Sequence, residues 1–417
     1  MNSSRALNAP WLGSGPTSRV LQLLNENGEE ARVVGGAVRN AMLNIPLGDI
    51  DIATTALPDE VIRRAKAAGI KSVPTGIAHG TVTLVVEAQP LEVTTLREDT
   101  ETFGRKAKVA FGRDWVGDAH RRDFTINALS AGADGVVHDY VGGLDDIAAC
   151  RVRFIGDANQ RIAEDYLRIL RFFRIHAAFG AGEVDRVGYL ACIAGRAGLA
   201  TLSAERMRME MLKLLVADGA AGAVTAMADG GLLLPIFGGV AYVGPLAAMS
   251  AAERVLGLKP DPIRRLAALA VAVTEDAKRV AGRLRLSNAE TKALDSMGHR
   301  WWRLAGADEA RARRLLYRLG EDNYRNRLML AWARAGCDTD AAPWRDLATL
   351  PQRWSAPKFP LKAADFLARG IAEGPALGHV LTLGEDAWLA ADFPLDEAAL
   401  GAIADQAVAR LTRDPRL

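Results

Sequence analysis

The chain has 417 residues, with 52 basic and 50 acidic side chains, 49% hydrophobic residues and 24% charged ones. That length predicts roughly two to four domains with an ample core, and the balance excludes a disordered or fibrous chain. A net charge of +2, taken alone, points to small-molecule chemistry and away from a nucleic-acid partner.

Met1 to Thr17 holds one arginine, two prolines and no apolar run of signal-peptide length, so export is not expected. Val33-Val34 reads as a short strand entering Gly35-Gly36, and Asp51-Ile52-Ala53 as a second one. Pro58 ahead of Asp59 and Glu60 predicts a helix start. Thr81 to Glu87 and Leu91 to Leu96 read as the arms of a hairpin turning at Ala88-Gln89-Pro90. Arg97 to Trp115 is charged and lacks an apolar period, which predicts a mobile loop. After about Arg151 the strand signal nearly vanishes, and Ala/Leu/Arg-rich helical spacing takes over, broken by Gly/Pro clusters. The expected class is therefore α+β, a small mixed sheet with helices followed by an all-helical remainder.

From Gly230 to Ala252 no residue is charged, formally enough for a membrane span of about 20 residues. Pro235 and Pro245 break the run and no flanking basic cluster marks an interface, so a buried connector is expected and no membrane. Cys150, Cys192 and Cys337 lie far apart with no C-x-x-C spacing. Neither a disulfide framework nor a zinc site follows, and a reducing cytoplasm fits.

The segment from Val33 to Thr55 carries the first chemistry. Gly35-Gly36, between a strand and a helix, lets backbone N–H groups approach phosphate oxygens, with Arg39 one turn in. A plain structural turn is the competing reading. Asp49 and Asp51 are two apart, so on a strand they point to one face, where two carboxylates repel unless a cation lies between them. Oxygen-only ligands beside phosphates select Mg²⁺; the competing reading is a pair of solvated loop aspartates. Glu92 is the expected third acid, because a mixed sheet can lay its strand beside Asp51; Glu87, at the hairpin rim, competes. Three acids around paired metals suit in-line phosphoryl transfer.

Residues 264 to 334 hold 16 Lys/Arg against 8 Asp/Glu, a local net of +8 that leaves −6 for the rest of the chain. Trp301, Trp302, Tyr317, Tyr324 and Trp332 are interleaved. Such a field suits a polyanion, and stacking aromatics suit unpaired bases, although for the individual tryptophans core packing is the better explanation.

In order along the chain, VVGGAVRN, GDIDIATT, HGTVTLVV, EVTTLR, RRDFTINAL, DYVGGLDDI, EDYLRILRFFR and SAERMRMEMLKLL resemble the motif series of class II tRNA nucleotidyltransferases and bacterial poly(A) polymerases. The likeness runs from about residue 30 to 216, with Asn40 where the family usually has Asp. It implies a polymerase-β-like head at 18–150, a helical neck at 151–216 that selects the base, and a helical body and tail at 217–417 that bind tRNA. Within RRDFTIN it implies that Arg122 meets phosphate while Asp123 and Asn127, four apart on one helix face, hold the ribose. Within EDYLR it implies that Asp165 and Arg168 read the base edge in place of a template, with Arg171 reaching the triphosphate. Asp165 accepts from the amino group of cytosine or adenine and Arg168 donates to the adjacent ring nitrogen; uracil and guanine leave polar atoms unpaired. The glycines of DYVGG would give a head-to-neck hinge, Glu205, Arg206 and Glu210 would brace the neck by ion pairing, and the 97–115 loop would help switch from C to A.

The expected activity is addition of CCA to the tRNA 3′ end from CTP and ATP with Mg²⁺ at Asp49 and Asp51, Glu92 assisting. No obligatory protein partner is implied. The rivals are a poly(A) polymerase, an enzyme adding only CC or only A, and a catalytically silent RNA-binding protein.

Overall fold

The computed structural model describes residues 6–7, 9–103, 106–336 and 341–413, with side chains outside 98–110. Cys337 lies outside them. Two compact units are present, Met1–Gly238 and Gly239–Leu417. The first takes in the expected head and neck and the first helices of the expected body.

The strands are β1 (Ala31–Val34), β2 (Asp51–Thr54), β3 (Lys71–Gly76), β4 (Thr81–Val86), β5 (Gln89–Thr95), β6 (Arg97–Phe103), β7 (Lys106–Phe111), β8 (Ser130–Ala131) and β9 (Val137–His138). Seven of them form one sheet in the order β3-β4-β5-β2-β1-β8-β9. Only β2 and β5 pair in parallel, with Asp51 opposite Glu92; β1 runs antiparallel to β2 with Val34 opposite Asp51. The end of β1, the start of β2 and the start of the paired part of β5 therefore coincide at one edge, where the Gly35-Gly36 turn leaves β1. Burial alternates strictly along β4, where Val82, Leu84 and Val86 face the core.

Three sequence expectations change here. The β4–β5 turn consists of Glu87 and Ala88, both left-handed at φ 52° and 63°, the geometry of a two-residue hairpin. Gln89 and Pro90 therefore already belong to β5, opposite Val86 and Val85. The segment expected as a mobile loop is in large part the antiparallel ribbon β6–β7. A two-stranded ribbon outside the main sheet needs no apolar face, so hydrophobic periodicity does not report it. The expected hinge at DYVGG is a tied corner. Asp139 Oδ1 accepts from the N–H groups of Val141, Gly142 and Gly143 at 3.0 Å each, and Oδ2 from Leu144 at 2.9 Å. A Cβ on Gly143 would lie 2.3 Å from the Thr125 carbonyl oxygen, so glycine is needed there for close packing.

Beyond the sheet the first unit is helical. Ala158–Glu164, Leu167–Phe179, Arg186–Ala194 and Ala204–Leu215 follow one another, as the 3.6-residue spacing predicts. The aromatic rings of Phe124, Phe154 and Phe172 pack together, the first two tilted with centroids 4.9 Å apart and the last two stacked at 5.3 Å. Phe124 and Phe154 also form an isolated antiparallel bridge. These contacts fasten the segments before β8 and after β9, at Phe124 and Phe154, to the Leu167–Phe179 helix.

Among the described residues the secondary structure of the second unit consists of helices joined by loops. The uncharged stretch is a short helix, Leu233–Phe237, followed by the start of Val243–Val255, and among the described residues no helix is long and apolar enough to cross a membrane. Tyr324 and Trp332 are core residues, the Trp301 indole donates to the Ala272 carbonyl at 2.8 Å, and Trp302 is half exposed. Arg303, Arg311, Arg314 and Arg318 line one cleft of about 420 Å³. Arg318 is paired with Asp386; the other three form no ion pair among the described residues.

Phe172 fills the junction between sheet loop and helix, so Phe172→Ala should cost about 3–5 kcal/mol through a cavity that cannot collapse. Urea titration followed by tryptophan fluorescence checks it; a change near zero would show that the ring cluster does not hold the junction.

Candidate active site

The site grows from the sheet edge. Gly35 sits at φ 70°, ψ −123°, and its N–H donates to the Leu129 carbonyl at 2.9 Å, so it is spent. Gly36, first residue of the Gly36–Met42 helix, has no intrahelical acceptor for its N–H. Added Cβ atoms would meet Arg122 Nη1 at 3.4 Å from Gly35 and Arg39 Nη2 at 3.5 Å from Gly36. The two glycines thus leave room in front of two guanidinium groups.

Arg39 is buried, stacked 3.7 Å over the Phe179 ring, and donates to Asn127 Oδ1. Burial, the nearby Arg174 charge and Arg171 lower its pKa to about 10, with Asp123 opposing. Asn40 also has a definite place: Oδ1 accepts from Arg39 Nε at 3.2 Å and Nη2 at 2.8 Å, and Nδ2 donates to the Pro46 carbonyl at 3.1 Å. An aspartate could make the first two contacts but not the third, so here the amide ties Arg39 to the loop that leads to Asp49.

Asp49 lies ahead of β2 and Asp51 begins it; both are exposed while Ile50 between them is buried, so the expected alternation holds without a full strand. Glu92 is the register partner of Asp51 on β5. Although solvent reaches Asp51, the protein packed around its carboxyl partly desolvates it and raises its pKa; Glu92 and Asp49 raise it further, and Arg122 works against them. A cation between these carboxylates would relieve their mutual repulsion. Among the described residues no three acidic, histidine or cysteine side chains are already gathered at metal-holding distance. The donors are all carboxylate oxygens, the chemistry of a hard divalent ion.

Asp123 and Asn127 flank the short 3₁₀ turn Thr125–Asn127, not an α-helix as expected, yet they still meet, with Asn127 Nδ2 donating to Asp123 Oδ1 at 3.3 Å. Asp123 Oδ2 accepts from Arg171 Nε at 2.7 Å, and Oδ1 also takes the Phe124 N–H at 2.9 Å. Burial opposes the Asp123 charge, but Arg171, Asn127 and the Phe124 N–H outweigh it and hold the carboxyl below its ordinary value. Arg122 is paired with Asp118 at 2.9 Å.

The chain breaks between two helices at Asp165, which is extended at φ −155°. The Asp165–Arg168 pair that a continuous helix would allow is therefore not formed. Asp165 Oδ1 accepts from the Leu167 N–H at 3.1 Å and Oδ2 from Arg206 Nη2 at 2.6 Å. Arg168 pairs instead with Glu164 and donates to the Arg161 carbonyl at 2.6 Å.

One cavity of about 630 Å³ is lined by every residue expected for nucleotide binding, and by Asp49 and Asp51; Glu92 alone of the expected set stays off its wall. Arg174 and Arg206 line it unexpectedly. Arg174 had a signal in the i, i+3, i+6 row of Arg168, Arg171 and Arg174, three positions of one helix face. Arg206 was expected only as a brace. It does form an ion pair, with Asp165, as the buried Glu210 does with Arg174. Six arginines against four aspartates around one cavity suit a polyphosphate.

The family model for the Poly A polymerase head domain matches residues 31–153, and that for the probable RNA and SrmB-binding site of polymerase A matches residues 191–243. CCA tRNA nucleotidyltransferase 1, mitochondrial, of Mus musculus is 34% identical over 387 residues, 91% of this chain and 87% of that protein. A CCA-adding enzyme of Limosilactobacillus fermentum is 32% identical over 377 residues, 88% of this chain and 90% of that one. The crystal structure of the Bacillus stearothermophilus CCA-adding enzyme in complex with CTP aligns at a TM-score of 0.71 and 26% identity, covering 96% of this chain and 98% of that chain. The Thermotoga maritima CCA-adding enzyme complexed with tRNA aligns at 0.70 over 99% and 100%, and at 20% identity speaks for the fold alone.

Asp123→Asn would remove the charge opposite Arg171 and cost about 3 kcal/mol at neutral pH. Because the folded carboxyl is held below its ordinary value, the wild-type advantage is full above about pH 4 and is lost as pH falls through the folded value. Denaturant titrations of both proteins at several pH values check this; an unchanged difference in acid would remove the ion pair from the account.

Proposed function

This chain belongs to the CCA tRNA nucleotidyltransferase family, and from that premise we propose how its cavity adds C, C and A to the 3′ end of tRNA from CTP and ATP. In each step the terminal 3′ oxygen of the tRNA bonds to the α-phosphorus, the bond to pyrophosphate breaks, and the hydroxyl proton is released. The observation that carries the reading is that one cavity joins the DxD carboxylates to Asp165 and Arg168.

Each end of the cavity has its task. Asp49 and Asp51 would hold a divalent cation, Mg²⁺ by the hardness of their oxygens, with Glu92 beside Asp51 as third acid. When bound, the ion neutralises charge at the reacting phosphate and the leaving pyrophosphate. Gly35, Gly36, Arg39, Arg122 and Arg171 form the phosphate-facing wall, and Asp123 with Asn127 offers an acceptor and an amide to the ribose. At the far wall Asp165 accepts from an exocyclic amino group and Arg168 donates to the ring nitrogen beside it. Cytosine and adenine present that pattern, whereas uracil and guanine reverse it and would bury unpaired polar atoms. We assign base selection to the expected neck and tRNA binding to the helical body, where Arg303, Arg311, Arg314 and Arg318 line one cleft and only Arg318 of the four is ion-paired among the described residues. The free thiols Cys150 and Cys192 suit the reducing cytoplasm, where we place the activity.

A tRNA ending before CCA should grow by three nucleotides only when CTP and ATP are both supplied. Long A tracts from ATP alone would show a poly(A) polymerase instead. Asp51→Asn should bring extension to background, while Arg168→Ala should lower the preference for CTP over UTP by about 10- to 100-fold. An unchanged preference would refute the templating role.

A further inference from the structure

We infer that Arg206 is a positioning residue for nucleotide selection: its guanidinium keeps the Asp165 carboxylate an acceptor-only group, which is what makes that carboxylate reject a carbonyl. The inference rests on the reading that Asp165 faces the base edge.

The geometry is specific. Arg206 lies in the first turn of the Ala204–Leu215 helix and reaches across to Asp165 Oδ2 at 2.6 Å, while the Leu167 N–H takes Oδ1. Both side chains are about a third exposed, so solvent protons reach the pair. The charged groups around Asp165 are engaged elsewhere. On the Leu167–Phe179 helix Arg168 is held by Glu164 and Arg171 by Asp123; on the helix before it Glu164 also holds Arg161. Among the described residues Arg206 is the cation that forms an ion pair with Asp165.

A carboxylate has only acceptor sites, whereas a carboxylic acid carries an O–H donor. Ionised, Asp165 accepts from the amino group of cytosine or adenine and faces uracil O4 or guanine O6 with repulsion. Protonated, it would donate to either carbonyl, and one of the two barriers to the wrong base would fall. Arg168 still opposes the ring N–H of uracil, so the relaxation is partial. Burial disfavours the charge on Asp165, and Arg206, with the Leu167 N–H and Arg168, holds its pKa below the ordinary value. Removing Arg206 therefore makes the specificity of the site depend on acidity.

The experiment measures kcat/KM for UTP and for CTP on tRNA lacking CCA, from about pH 8 to about pH 5.5. The ratio of the two cancels titration of Asp51 and the other groups that both nucleotides share. The wild type and Arg206→Lys should keep a low, flat ratio; in Arg206→Met, and in the same direction in Arg206→Gln, it should climb at least about tenfold toward acid. A purely structural role would lower kcat for both nucleotides and leave the ratio flat, which would overturn the inference. Asp165→Asn, whose amide can donate, runs alongside and should raise UTP use at every pH. If it does while both neutral Arg206 variants stay flat, only the role of Arg206 falls; if it does not, the base-reading assignment of Asp165 falls with it.

Discussion

The ion pair between Asp123 and Arg171 is the interaction on which the site depends. One partner stands in the segment that leads into β8 and the other on the Leu167–Phe179 helix, and the Asp123 side chain is only 10% exposed. A carboxylate so placed needs its cation, because the desolvation cost is otherwise unmet. The pair draws in Asn127 through Asp123, and Asn127 in turn draws in Arg39. The adjacent cluster of Phe124, Phe154 and Phe172 supplies apolar contact at the same junction. Removing either layer would leave the sheet edge and the helical wall of the cavity without a common reference.

Around that junction the charges are sorted by task. The carboxylates at the β2 edge lie close enough to raise the Asp51 pKa, a cost that a bound cation would relieve. Most arginines of the cavity are neutralised in part by a neighbour: Arg122 by Asp118, Arg168 by Glu164, Arg171 by Asp123, Arg174 by Glu210, Arg206 by Asp165. Partial neutralisation lets several guanidinium groups share one wall and also fixes their geometry. An incoming triphosphate then meets donors already in place, which lowers the cost of ordering them.

Legibility followed the range of the interactions. The grouping of Gly35, Gly36, Asp49 and Asp51 was legible in spacing within a few residues, whereas Asp165 and Arg168 were singled out by the resemblance of EDYLR to the family motif; all six line one cavity. Glu92 was readable through sheet logic, and the parallel register put it opposite Asp51 as expected. The β6–β7 ribbon escaped because a strand pair outside a packed sheet shows no apolar period. The Glu87-Ala88 turn escaped because neither residue is among the usual left-handed formers. Arg206 was read as an ion-pairing residue, but its partner and its place on the cavity escaped because Asp165 is 41 residues away.

The sequence by itself determined the class of fold, the order of the motifs and the chemical character of each: oxygen donors here, guanidinium groups there, an acceptor beside a donor further on. Those properties reside in side-chain type and local period, which need no distant residue to be defined. Only the tertiary structure decided which charges pair. It gave Asp165 to Arg206 and not to Arg168, and it tied the DYVGG corner to Asp139 where the glycines alone suggested a hinge. Pairing depends on where helices end and which faces meet, and the break at Asp165 shows that a single extended residue is enough to redirect two charged side chains.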